Sequence, residues 1–141
     1  CDCATPKTTK MPRTTITPHL AACTNEAEEN CAHMAVGEMK AYLEMGTIRN
    51  SVNYPACDLG PCKAGGRVAL LHKNVPGMIG KISSILGNAT ANIQRMANEA
   101  QGAHAYTLLD TDVPLDEGTV DELSKIDGIY RVRVIKPART A

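Results

Sequence analysis

The chain has 141 residues, with 15 basic and 15 acidic side chains, and its only aromatic residues are four tyrosines. That length allows one domain with a real core, or a small domain plus a piece of another. Balanced charge without a dense basic block argues against nucleic acid or an anionic membrane as partner, and the scarcity of aromatic rings removes the stacking platform that single-stranded RNA needs.

No apolar run approaches membrane-spanning length, and the opening "CDCATPKTTK" lacks the apolar core of a signal peptide, so a cytoplasmic protein is expected. The six cysteines do not form a metal-ligand pattern: Cys1 and Cys3 are too close, Cys57 and Cys62 have four residues between them, and Cys23 and Cys31 stand alone. Reduced thiols are the expectation.

In chain order, "TTIT" before Pro18 reads as a short strand without its sheet. Residues 25–45 show apolar positions at three- and four-residue steps, with Glu38 the polar exception; Thr24 or Asn25 can cap this helix and Gly46 can end it. At about 30 Å such a helix needs a surface to pack against. Residues 47–65 carry two prolines and several turn formers and read as a connector closing on Gly65-Gly66, a plausible swivel. Then follow a strand (67–73), a helix (78–89), two strands around a Gln101-Gly102 turn (92–99 and 104–110), a helix (117–125) and a last strand (130–135). The order β-α-β-β-α-β predicts an α+β, ferredoxin-like unit, a four-stranded antiparallel sheet with both helices on one face. In "YRVRVIK" the valines alternate with arginines, so the opposite face is expected to be wetter.

The stretch "RVALLHKNVPGMIGKISSILGNATANIQRM" resembles the start of an ACT domain, an amino-acid-binding regulatory module, in the version carried by the D-3-phosphoglycerate dehydrogenases. "GTIRNSVNYP" is similar to their connector, and "ITPHLAACTNEAEENCAHMA" to the segment that ends the dinucleotide-binding domain of the wider D-2-hydroxyacid dehydrogenase family. The implied organisation is a C-terminal remnant of the dinucleotide-binding and substrate domains at 1–46, a linker at 47–65 and an ACT regulatory domain at 66–141. The expected whole is an incomplete Rossmann-type body, its terminal strand and long helix, followed by the ACT unit.

The resemblance implies that His19, in Thr-Pro-His, is the catalytic acid/base, since hydride leaves a carbinol carbon only as its oxygen loses a proton. It also implies NAD as cofactor of the full-length enzyme, which would oxidise 3-phosphoglycerate to 3-phosphohydroxypyruvate in serine biosynthesis. The chain departs from the family pattern in having Ala21-Ala22-Cys23-Thr24 for Gly-Ala-Ser-Thr. It also lacks a G-x-G-x-x-G, a ribose-binding acid and the remaining catalytic Arg and Glu, so by itself it is expected neither to bind NAD nor to turn over.

Chemistry singles out the end of the first ACT strand. His72 can donate or accept, Asn74 offers an amide of each kind, Gly77 permits close backbone approach, and the N–H groups beginning the next helix suit a carboxylate. With Asn92, the matching residues of the family bind L-serine. By that carry-over His72 and Asn74 grip the effector from one subunit, and Asn92 from its neighbour in a homo-oligomer formed through the ACT sheets. The competing reading is an oligomerisation module that senses nothing. A ferredoxin-like metal carrier would need a Cys-x-x-Cys in the first loop, which has none.

Overall fold

The computed structural model describes residues 1–136. They form two compact units, Cys1–Gly37 and the remainder from Glu38 onward.

The first unit holds a 3-10 turn at Thr8–Lys10 and the beginning of α1 (Asn25–Met45). Thr24 caps that helix, its hydroxyl accepting from the Ala27 N–H at 3.2 Å, so it is Thr24 and not Asn25 that serves. The expected strand in "TTIT" does not form. An extended run becomes a strand only beside a ladder partner, and this one has instead the chain terminus at Cys1, whose amino group donates to Thr15 O (2.8 Å) and whose carbonyl accepts from the Thr17 N–H (3.0 Å). Among the described residues no strand precedes Gly66, so the long helix of the expected Rossmann remnant is present without its strand.

The second unit contains β1 (Gly66–Lys73), α2 (Met78–Asn88), β2 (Ile93–Gln101), β3 (His104–Thr111), α3 (Glu117–Ser124) and β4 (Ile129–Ile135). The strands form one sheet in the order β2-β3-β1-β4, every neighbouring pair antiparallel. That order and connectivity are the ferredoxin-like α+β fold expected from the sequence. One face of the sheet presents Val68, Leu70, Leu109 and Val132 to Met78, Ile82 and Leu86 of α2 and Leu123 of α3. The helices cover it because their apolar residues recur at four-residue steps. Asp116 caps α3, accepting from the Thr119 N–H at 3.0 Å, and hydrogen bonding from the Thr119 side chain and N–H holds its carboxyl below the ordinary carboxylate range.

The opposite face is wet only in part, at exposed Arg131, Glu99 and Arg95. The rest is covered by the connector, whose Ile48, Cys57 and Leu59 pack with Ala69, Tyr106, Leu108 and Ile135 into a second core. Ile48 and Cys57 exchange backbone hydrogen bonds of 2.9 and 3.1 Å, folding the connector back on itself. Burial pushes the Cys57 thiol up to about 11. Of the two arginines in the alternating "RVRV" pattern, Arg131 is exposed, while Arg133 donates to the carbonyls of Tyr42 (3.0 Å) and Leu43 (2.7 Å), with its guanidinium 4.5 Å from the Tyr42 ring centre. Glu38, the polar exception on the helix, accepts from Asn50 Nδ2 at 2.6 Å. His104 is exposed, with its ring near those of Tyr54 (5.9 Å) and Tyr130 (5.6 Å).

Arg67 organises this second face. It is 1% exposed; Nε and Nη2 donate side-on to the Asp110 carboxylate (2.6 and 2.9 Å), and Nη1 donates to Met45 O (2.9 Å) and Gly60 O (2.6 Å). One side chain thereby joins β1, β3, the end of α1 and the connector. Although burial works against its charge, the bonds to Asp110 hold the guanidinium above its ordinary value. Tyr106 adds a bond from its hydroxyl to Gly46 O at 2.7 Å.

Two glycine sites acquire a different meaning from these contacts. Gly46 turns the chain at φ 74°, and a β-carbon there would come within 2.6 Å of Ile135 Cδ1. Gly65 lies so close to the Asp112 backbone that a β-carbon would collide with its carbonyl, and Gly66 lies beside Pro114. The Gly65-Gly66 pair is therefore required by close approach rather than by a need to swivel.

Removing Arg67 alone should be severe. Arg67→Met leaves the fully buried Asp110 carboxylate with only Arg95, at 3.7 Å, and should lower unfolding free energy by roughly 3–5 kcal/mol in urea titrations. Adding Asp110→Leu should restore part of the loss. Unchanged stability in the single variant would contradict the anchoring role.

Candidate functional site

The end of the sheet where β1 stops brings together the strand's last residues, the β2–β3 turn and the start of α2. Lys73 N–H donates to Gly128 O (2.8 Å), and Asn74 N–H to Ala103 O (2.9 Å). Pro76 cannot continue the ladder, and Gly77 takes φ 80° to turn the chain into α2, where its carbonyl accepts from the Lys81 N–H at 3.1 Å. A shallow depression of about 610 Å³ runs from Gly77 past Gly80, Lys81 and Ser84 to Asp127.

His72 sits just below this rim and is 2% exposed. Its Nδ1 is 2.8 Å from Lys73 O and its Nε2 2.7 Å from Thr107 Oγ1. Since a carbonyl can only accept, Nδ1 carries a hydrogen. Thr107 Oγ1 in turn lies 2.7 Å from the Asn98 side-chain amide, so a polar chain leads from the buried imidazole to an exposed amide on β2. Asn74 is exposed, and its Nδ2 donates to Gly102 O at 3.1 Å. His72, Asn74 and Gly77 thus share one end of the sheet.

Asn92 lies at the other end. Its N–H donates to Asp112 Oδ1 (2.8 Å) and its carbonyl accepts from the Asp112 N–H (3.1 Å), beside Thr111, which pairs with Gly66 at the beginning of β1. His72 pairs with Ala105, six residues further along, a separation of about 20 Å at strand rise. One copy of the chain therefore does not bring the fourth predicted effector residue to the other three. Thr107 and Asn98 were absent from the sequence-derived set. The signal available was their polarity within otherwise apolar or edge strands, but only the register that sets Asn98 opposite Thr107 makes it a contact.

In the first unit, His19 is exposed and adopts φ 58°. Its N–H donates to the carbonyls of Asp2 and Thr17, both at 3.0 Å, and its Nδ1 is 3.9 Å from Cys3 Sγ. The Asp2 carboxylate, which accepts from the Thr17 hydroxyl and from the Leu20 and Ala21 N–H groups, shapes this turn, and those bonds hold its carboxyl below the ordinary range. No described carboxylate bonds the His19 ring. The residues present do not fit a dinucleotide: the first turn of α1 is capped by its own Thr24, and no strand leads into that helix to form a phosphate cradle. No helix is long and apolar enough to cross a membrane among the described residues.

No family model matches the chain. It is 29% identical over 120 residues to D-3-phosphoglycerate dehydrogenase of Haemophilus influenzae, covering 85% of this chain and 29% of that protein. It is 28% identical over 122 residues to the same-named enzyme of Escherichia coli K12, covering 85% and 30%. The chain therefore spans about three tenths of the length of these curated relatives. Among solved structures, the ACT domain of a Chlorobium tepidum GTP pyrophosphokinase aligns at TM-score 0.43 and 18% identity, over 49% of this chain and 94% of that one. A Galdieria sulphuraria protein of unknown function aligns at TM-score 0.46 and 15% identity, over 54% and 46%. The fold assignment rests on strand order and connectivity rather than on these alignments. What the sequence comparison does establish is similarity to D-3-phosphoglycerate dehydrogenases over most of this chain's length.

Proposed function

We propose that the chain is the C-terminal regulatory part of a D-3-phosphoglycerate dehydrogenase, with the ferredoxin-like unit an ACT module that binds an amino acid effector, L-serine. The observation that carries this reading is the similarity to those enzymes over 85% of the chain. NAD and the oxidation of 3-phosphoglycerate belong to the remainder of the parent protein, in which His19 is the proposed acid/base.

Effector binding requires two copies. His72, Asn74, Gly77 and the N–H groups of the first turn of α2 supply donors and acceptors from one copy, and Asn92, at the far end of its own sheet, is supplied by the other. A serine shared in this way favours the paired state by its differential affinity for it, which is the thermodynamic condition for feedback inhibition.

One observation favours a second reading, oligomerisation without sensing. Both ring nitrogens of His72 already have protein partners, so within one copy this residue is satisfied as a core histidine. The two readings separate by calorimetry combined with size exclusion. The sensor reading expects saturable serine binding, at least ten-fold weaker in His72→Ala and Asn92→Ala, and a serine-dependent shift toward the dimer. Dimerisation that ignores serine sinks it.

The buried chain has its own test. Thr107→Val leaves His72 Nε2 without a partner and should cost about 1–3 kcal/mol of stability, read by urea titration. No loss would mean that the hydroxyl does not satisfy the ring.

A further inference from the structure

On the connector-covered face of the sheet, the second unit forms an open cavity of about 330 Å³ that no part of the proposed serine site uses. Its apolar surface comes from Ile48, Leu71, Tyr42 and Tyr54. Two side chains of opposite charge complete it, Glu38 from α1, two turns before its end, and Arg49 from the connector. Each is steadied by a separate partner. Asn50 Nδ2 donates to Glu38 Oε1 at 2.6 Å, leaving Oε2 to accept, and Arg49 donates through Nη2 to Asp58 Oδ2 at 2.9 Å, leaving Nε and Nη1 to donate. Asp58 is itself tied down by the Gly60 N–H (2.8 Å) and the Thr47 hydroxyl (3.0 Å), which keeps its charge where Arg49 needs it. The described residues contain no ion pair between Glu38 and Arg49.

An acceptor of negative charge and a donor of positive charge on one cavity, each held by its own partner, are complementary to a molecule carrying both charges. The apolar surface between them adds a requirement for a hydrocarbon or aromatic group. A small hydroxylated amino acid would leave most of that surface wet, whereas the volume lies at the lower end of the range for small-molecule sites. From this combination we infer that the cavity binds a large apolar α-amino acid: its ammonium on Glu38, its carboxylate on Arg49 and its side chain among Ile48, Leu71, Tyr42 and Tyr54. It is a second effector site, distinct from the Asn74–Gly77 rim, and it stands whether or not serine binds there.

The test is calorimetric titration of the 141-residue chain with L-leucine and L-phenylalanine, alongside two analogues lacking one charge each, 3-phenylpropionate and phenethylamine. Saturable binding of at least one amino acid is expected, at least ten-fold weaker for both analogues and at least ten-fold weaker in Glu38→Gln and Arg49→Gln. Both substitutions lie outside the buried cores, and circular dichroism confirms that the variants fold. Serine titrations run in parallel on the same variants should be unchanged, which separates failure here from failure of the serine reading. No saturable binding of either amino acid, or binding that ignores both charge variants or matches that of the analogues, overturns the assignment.

Discussion

A charged side chain at the start of a central strand, removed from water, has to be answered by the fold around it. Arg67 is answered four times: twice by the Asp110 carboxylate, and once each by the carbonyls that end α1 and turn the connector. Each alternative arrangement leaves either an unpaired buried guanidinium or an unpaired buried carboxylate, both far costlier than the hydrogen bonds themselves. The pair therefore specifies where the connector and the last turn of α1 must lie, with more discrimination than apolar packing alone provides.

That placement gives the sheet two covered faces. The helix side is the expected one, built from residues spaced at helical and strand periods. On the other side the connector contributes Ile48, Cys57 and Leu59, and carbonyls at and just beyond the end of α1 are taken up by Arg67, Tyr106 and Arg133. A helix terminus whose carbonyls are bonded to strands moves when those strands move. Any ligand that shifts the sheet then acts on α1 through these bonds.

Element positions were legible because local rules decide them. Proline and glycine at 76–77, the capping Asp116 and the period-2 and period-3.6 apolar patterns put each strand and helix of the second unit within two residues of its observed bounds. What depends on pairing was hidden. Arg67 and Asp110 are 43 residues apart, and only the antiparallel register sets them opposite one another. The connector's turn formers concealed three apolar residues that pack as a layer. "TTIT" has strand composition but no neighbour, and composition without a ladder is not a strand. The candidate site was half legible: the chemistry of His72, Asn74 and Asn92 could be named, while the two-ended placement and the Thr107–Asn98 chain required the sheet order.

The account stands most directly on the connector being part of the sheet's own cooperative unit, anchored by Arg67. Amide hydrogen exchange at Ile48 and Cys57 measures this. Protection close to that of the β1 amides, collapsing in Arg67→Met while α2 remains protected, is the predicted result. Exchange at the rate of an open loop in the unaltered chain would contradict it.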